Sequence, residues 1–207
     1  LEVLTIQPIA STVRYRASSQ SRYRLQAGLS LTQQQPWLAL PAGSNPRSVA
    51  WARALRGSGA QTLAPADAIA AVLAHFHRAP FRYTLQPPLL GKHGVDDFLF
   101  TTQAGFCEHY AGSFVVLMRA MGIPARVVTG YQGGTRDGAD SSPSLTVRQS
   151  DAHAWSEVWL AGRGCPSALS GHEAQGGSPA PWAGGSRGGP MPVVGNPPLE
   201  TPLKGSL

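Results

Sequence analysis

The chain has 207 residues, with 17 Lys and Arg against 11 Asp and Glu, a formal net charge of +6 and a pI near 9.9, a length that suits one principal domain with appendages. The basic balance raises nucleic acid or anionic envelope surfaces as partners, but no zinc-ligand spacing, RNA-recognition signature or helix-turn-helix pattern accompanies it, so nucleic-acid binding is not expected. No apolar run approaches the roughly 18 residues that span a bilayer, and the first residues lack a signal-peptide pattern.

Residues 1–31 read as strands. Within them Arg14, Arg16, Arg22 and Arg24 of VRYRASSQSRYRL predict a two-stranded hairpin with a solvated arginine face. LEVLTIQPIA opens without a methionine and reads like a strand entered midway, so a piece of a longer protein is expected. A Pro/Gly linker around 36–46 leads to a helix with Asn45 as N-cap and Pro46 at its first position. A second helix begins near Pro65, where Ile69, Val72, Leu73 and Phe76 make an apolar face. His75 and His77 flank that face, two residues apart, and point in different directions, which argues against a metal pair. Asp96 and Asp97 precede the apolar FLF and are expected to cap or turn, a role in a substrate groove being the alternative.

The chemistry concentrates in two stretches, GFCEHYAGSFVVLMRAMGIPARVVTGYQGG at 105–134 and DAHAWSEVWL at 151–160. Cys107, Ala111, Phe114, Leu117, Met118 and Met121 recur at helical spacing, and Gly122 and Pro124 stop the run. Cys107 therefore heads a helix. Attack on an acyl group needs the thiolate, which a helix N-terminus and a neighbouring imidazolium favour. The unpaired N–H groups of the first turn also suit an oxyanion, with the Cys107 N–H as first donor and no second one evident. In the second stretch Asp151, His153, Trp155, Glu157 and Trp159 share one strand face, and Ala152, Ala154, Ser156, Val158 and Leu160 the other. His153 is the candidate base. His109, two residues along the helix from Cys107, points away from the thiol and is read as structural or supporting. Tyr131 and Trp155 are candidates to edge the substrate, with core packing as the alternative.

GFCEHYA with its apolar helix, GIPARVVTGY and DAHAWSEVWL resemble, in order and spacing, the three core segments of the transglutaminase-like superfamily. FRYTLQPPLL at 81–90 and VDDFLF at 95–100 further resemble the periplasmic domains of bacterial membrane-anchored members. The resemblance covers roughly residues 40–163. It implies an α+β, papain-like transglutaminase core, with the cysteine on a helix packed on an antiparallel sheet, Cys107 as nucleophile and His153 as general base. One element departs from the pattern. Members usually follow the histidine strand with a second strand of the type GWVRVDPT, whose aspartate orients the histidine. Here GRGCPSALSG stands at 162–171, Leu169 falls where that aspartate is expected, and no Asp follows Asp151.

From Gly164 onward the chain is dominated by Gly and Pro without helical or strand period, and is expected to be disordered. The switch is what a shifted reading frame of GC-rich DNA would produce, a true low-complexity tail being the alternative. The second of the two cysteines, Cys165, lies at this junction, and a disulfide with Cys107 would disable the nucleophile. The expected organisation is N-terminal strands at 1–40, a catalytic core at 41–163 that is incomplete at its C-terminal end, and a tail at 164–207. The expected function is cysteine-dependent acyl transfer or hydrolysis on protein or peptide amides, without metal or organic cofactor. A catalytically inactive peptide-binding module of the same fold is the alternative. The resemblance places the domain on the periplasmic face of the inner membrane, with membrane contact only through segments absent from this chain.

Overall fold

A computed structural model describes residues 8, 10–16, 28–137, 144–161 and 167–170. Of the residues that read as an arginine hairpin, those described, Val13 to Arg16, form no strand. The first element is a helix, α1 (Leu31–Leu38), where the sequence reads as strand end and linker. Ser30 and Gln33 explain it. The Ser30 hydroxyl accepts from the Gln33 N–H at 3.3 Å and the Gln33 side chain accepts from the Ser30 N–H at 2.9 Å, a reciprocal cap that satisfies two otherwise unpaired donors.

Helix α2 (Pro46–Arg56) starts as expected with Pro46 in its first turn, but Asn45 does not cap it through its side chain. Asn45 is left-handed (φ 47) and its Oδ1 accepts from the Val95 N–H at 3.0 Å. The cap comes from Asp96 in α4 (Gly94–Asp97), which accepts from the Arg47 and Ser48 N–H groups at 3.1 and 2.7 Å and from the Ser48 hydroxyl. Burial pushes the Asp96 carboxyl up. The Ser48 hydroxyl, the Ser48 and Arg47 N–H groups and the His93 charge outweigh that effect and leave it below the usual carboxylate range. Asp97 accepts from the Gly91 N–H at 2.7 Å, so Asp96 caps α2 and Asp97 holds the turn that leads into α4.

Helix α3 (Pro65–Arg78) buries Ile69, Val72 and Phe76. Its His75 ring packs against Trp51 and Phe81, at 4.8 and 5.7 Å between ring centroids, while His77 is exposed. These side chains close over the central helix α5 (Cys107–Ala120) together with Phe98 and Leu99. Burial on α5 goes beyond the single face that spacing predicts. Tyr110, Ser113 and Val115 are buried as well, because helices cover one side of α5 and a sheet covers the other.

That sheet has three strands in the order β3 (Ala125–Tyr131), β6 (Ala152–Val158), β7 (Ser167–Ser170), all antiparallel neighbours. A hairpin of β4 (Thr135–Asp137) and β5 (Ser144–Thr146) lies between β3 and β6 in the chain, and β1 (Arg82–Tyr83) pairs in parallel with β2 (Ala104–Gly105). Within the stretch after Gly164, which reads as lacking strand period, residues 167–170 form β7, pairing Leu169 with Ser156 and Ser170 with Trp155. The rest of the tail, Cys165 included, lies outside the described residues. Among those described, no helix is long and apolar enough to cross a membrane.

Candidate active site

Gly105 sets up the thiol. A Cβ at this position would lie 2.7 Å from both Cβ and Cγ of His109 and 2.9 Å from the Phe98 ring, so only glycine lets the chain pass this closely into α5. His109 accounts for the closeness. Its Nδ1 accepts from the Phe106 N–H at 3.3 Å and its ring packs against Phe98 and Phe106. It caps the first turn, in the supporting role expected of it, and leaves Cys107 half-buried and reduced at the helix start.

The side chain that lies on Cys107 is one the sequence reading passes over. Tyr83 stands opposite Gly105 in the β1–β2 bridge, and its ring stacks on Tyr110 at 6.2 Å and 19°. Tyr110 is one turn along α5 from Cys107. This brings the Tyr83 phenol near enough to Cys107 to be influenced by it. Burial, then the charge of the Cys107 sulfur, raise the Tyr83 phenol above its usual range, although the Cys107 N–H works in the opposite direction. The aromatic in FRYT is the available signal, but nothing local ties it to a cysteine 24 positions away.

Strand direction places His153. After α5 the chain turns directly into β3, and β6 is antiparallel to β3, so β6 runs alongside α5 in the same direction. The Trp159 N–H donates to the Pro124 carbonyl at 2.8 Å beyond the C-terminal end of the helix. His153, at the other end of β6, therefore lies at the Cys107 end of the helix–sheet layer. The alternation is as expected: Ala154, Ser156 and Val158 are buried, with the Ser156 hydroxyl donating to the Ala111 carbonyl of α5, and His153, Trp155 and Glu157 occupy the half-buried alternate positions. His153 Nε2 is itself buried. Opposite His153 in the ladder is Gly130, where a Cβ would meet the Trp155 ring at 3.0 Å. The indole thus lies over Gly130, on the surface that carries the imidazole. Tyr131 is exposed at the same end of β3 and donates to Gln149 Oε1 at 3.1 Å.

Several carboxylates are engaged in structural roles. Asp151 accepts from the Arg148 N–H at 2.7 Å, and Glu157 holds Arg126 at 2.7 Å. The four residues of β7 are Ser, Ala, Leu and Ser. Strand β7 is present, but its described part carries no acid. Among the described residues no group of three or more His, Cys, Asp or Glu is arranged to hold a metal ion.

A profile of the transglutaminase-like superfamily matches residues 49–166, which takes in most of α2, the thiol helix and the histidine strand. The chain belongs to the transglutaminase-like superfamily. It is 46% identical over 153 residues to a protein-glutamine gamma-glutamyltransferase of Pseudomonas aeruginosa, covering 74% of this chain and 22% of that protein. It is 34% identical over 103 residues to the protein YebA of Bacillus subtilis, covering 47% of this chain and 14% of the other. The crystal structure of the periplasmic domain of TgpA from Pseudomonas aeruginosa, bound to ethylmercury, superposes with a TM-score of 0.65 at 45% identity, over 72% of this chain and 52% of that one. The transglutaminase-like chain thus has the α+β, papain-like core that its motifs imply, and spans about half of the solved domain and a smaller share of the curated relatives.

Proposed function

We propose that this domain carries out cysteine-dependent acyl transfer on protein or peptide amides, with Cys107 as nucleophile and His153 as general base and acid. The observation that carries the reading is the shared end of the α5–β6 layer. The thiol heads the helix, and the histidine sits on the strand that runs beside it. In the first step the Cys107 sulfur attacks a carboxamide carbon, the C–S bond forms, and the carbonyl electron pair moves to oxygen. The C–N bond then breaks as His153 gives its proton to the departing ammonia or amine, leaving a thioester. An amine acceptor gives cross-linking, and water gives deamidation or proteolysis. The name of the Pseudomonas relative favours the amine. Tyr131 and Trp155 would edge the entering substrate. The solved Pseudomonas relative is a periplasmic domain, which supports a location outside the inner membrane.

Leu169 of β7, paired with Ser156 of β6, supports a second reading. Without an acid on that strand, the domain would bind peptides through the same surface and not turn over. An orienting carboxylate contributes up to about 10⁴-fold in a serine triad. Thiol chemistry separates the two readings. A catalytic Cys107 is alkylated by iodoacetamide at mildly acidic pH well ahead of an ordinary thiol, and His153→Ala removes the advantage. Alkylation at the ordinary rate in both proteins supports the binding module.

A further inference from the structure

We propose that Glu108 recognises the second substrate of this site, drawing an aliphatic primary ammonium group, such as a lysine side chain carries, to the thioester on Cys107. This rests on the proposed acyl chemistry at Cys107 and names its acceptor. Of the residues of α5, Glu108 alone is exposed. The half-buried Gly112, Val116 and Ala120 follow it at four-residue steps, so one narrow stripe of the helix meets solvent and Glu108 stands at its head, next to the thiol. Gly112, one turn behind, leaves that stripe open, since a Cβ there would meet no atom within 4 Å.

Glu108 has no partner in the fold. The Phe106 N–H is taken by His109 Nδ1. In a chain with 17 Lys and Arg against 11 Asp and Glu, Glu108 makes neither a hydrogen bond nor an ion pair among the described residues. Asp96, Asp97, Asp151 and Glu157, by contrast, each hold a partner. A helix start favours an acid here, but the same charge opposes the thiolate beside it. That conflict ends once the sulfur is acylated and neutral.

The acceptor step then uses the charge. An alkylamine arrives as its ammonium ion, which a basic chain repels and a nearby carboxylate attracts. After one proton is lost to solvent, the nitrogen attacks the thioester carbon, the C–N bond forms and the nitrogen becomes positive. Its next proton passes by way of His153 to the Cys107 sulfur, which departs with the C–S electron pair. Glu108 exchanges no proton and opposes the positive nitrogen before and during attack. Water arrives uncharged, so the carboxylate biases the thioester from hydrolysis towards transfer.

The full chain, acetylated on Cys107 by p-nitrophenyl acetate, tests this by partition between acceptors. n-Butylamine copies a lysine side chain, and n-butanol is its neutral counterpart. In Glu108→Gln the ratio of N-butylacetamide to acetate is expected to fall about three- to fivefold, with the ratio of butyl acetate to acetate and the thermal unfolding midpoint unchanged. Glu108→Asp should keep most of the amine preference, and high salt should bring wild type down towards Glu108→Gln. Every ratio is taken from the same acyl-enzyme, so altered thiol reactivity cancels. An unchanged amine ratio, or equal falls with amine and alcohol, would overturn the assignment. A wild-type thiol that iodoacetamide alkylates but p-nitrophenyl acetate does not acetylate instead sinks the acyl-transfer reading itself, and this assignment with it.

Discussion

The Ser156 hydroxyl donates to the Ala111 carbonyl at 3.0 Å, in the fully buried seam where β6 lies on α5. This bond sets the longitudinal position of the histidine strand against the cysteine helix. Ser156→Ala removes one neutral buried hydrogen bond and is expected to lower unfolding free energy by about 1 kcal/mol. Urea titration checks the size. An unchanged midpoint would mean that apolar packing alone registers the two elements.

Gly130 makes room for Trp155. A methyl group at Gly130 would stand 3.0 and 3.3 Å from two carbons of the indole, so the ring must move, and it covers the residue paired with His153. Gly130→Ala is expected to slow acylation of Cys107, by up to about 10²-fold for a displacement near 1 Å. The smaller ring of Trp155→Phe should restore part of the rate in the double variant. Equal rates in Gly130→Ala and wild type would remove Trp155 from the positioning of the base.

Asp96 ties α4 to the start of α2 through three donors from Arg47 and Ser48. Its folded carboxyl lies below the usual range. The stabilisation is therefore complete above the ordinary carboxylate value of about 3.9 and is lost as the pH falls through the lower folded value. Asp96→Ala should cost about 1–3 kcal/mol near neutrality. The gap between variant and wild type should close as acid is added, which unfolding measured at pH 7 and at the lowest pH that keeps both folded will show.

His75 has the same sign of linkage in a higher pH window, from a different cause. Burial lowers its affinity for a proton, and its Nε2 is buried with no hydrogen-bond partner among the described residues. The unfolded chain takes up the proton first, beginning near the ordinary value of about 6.5. Stability should therefore decline as the pH drops from about 7 to 5. His75→Phe, between Trp51 and Phe81, should flatten that decline. Parallel stability–pH curves for the two proteins would show that His75 does not contribute to it.

Local features of the sequence carry α2, α3 and α5 and the alternation of β6, because each is a repeat of apolar positions punctuated by Pro or Gly. The starts at Pro46, Pro65 and Cys107 and the stop at Gly122 and Pro124 are legible for that reason. Helix α1 is legible too, once Ser30 and Gln33 are read as a reciprocal cap instead of as the end of a strand. Strand β7 is not. Ser167 to Ser170 have weak strand preference, and their pairing with β6 comes from a neighbour that already exposes an edge.

Amino-acid order by itself determined the lineage, the helix that begins at Cys107 and the strand that carries His153, since those depend on residue type and spacing over a few turns. Only the tertiary structure decided what meets the thiol. Tyr83 comes near Cys107 because β1 bridges to β2 and its ring stacks on Tyr110, and Asp96 caps α2 from 48 positions away in the chain. Such contacts join segments whose patterns carry no trace of each other, so they arise from packing around α5 and not from any local rule.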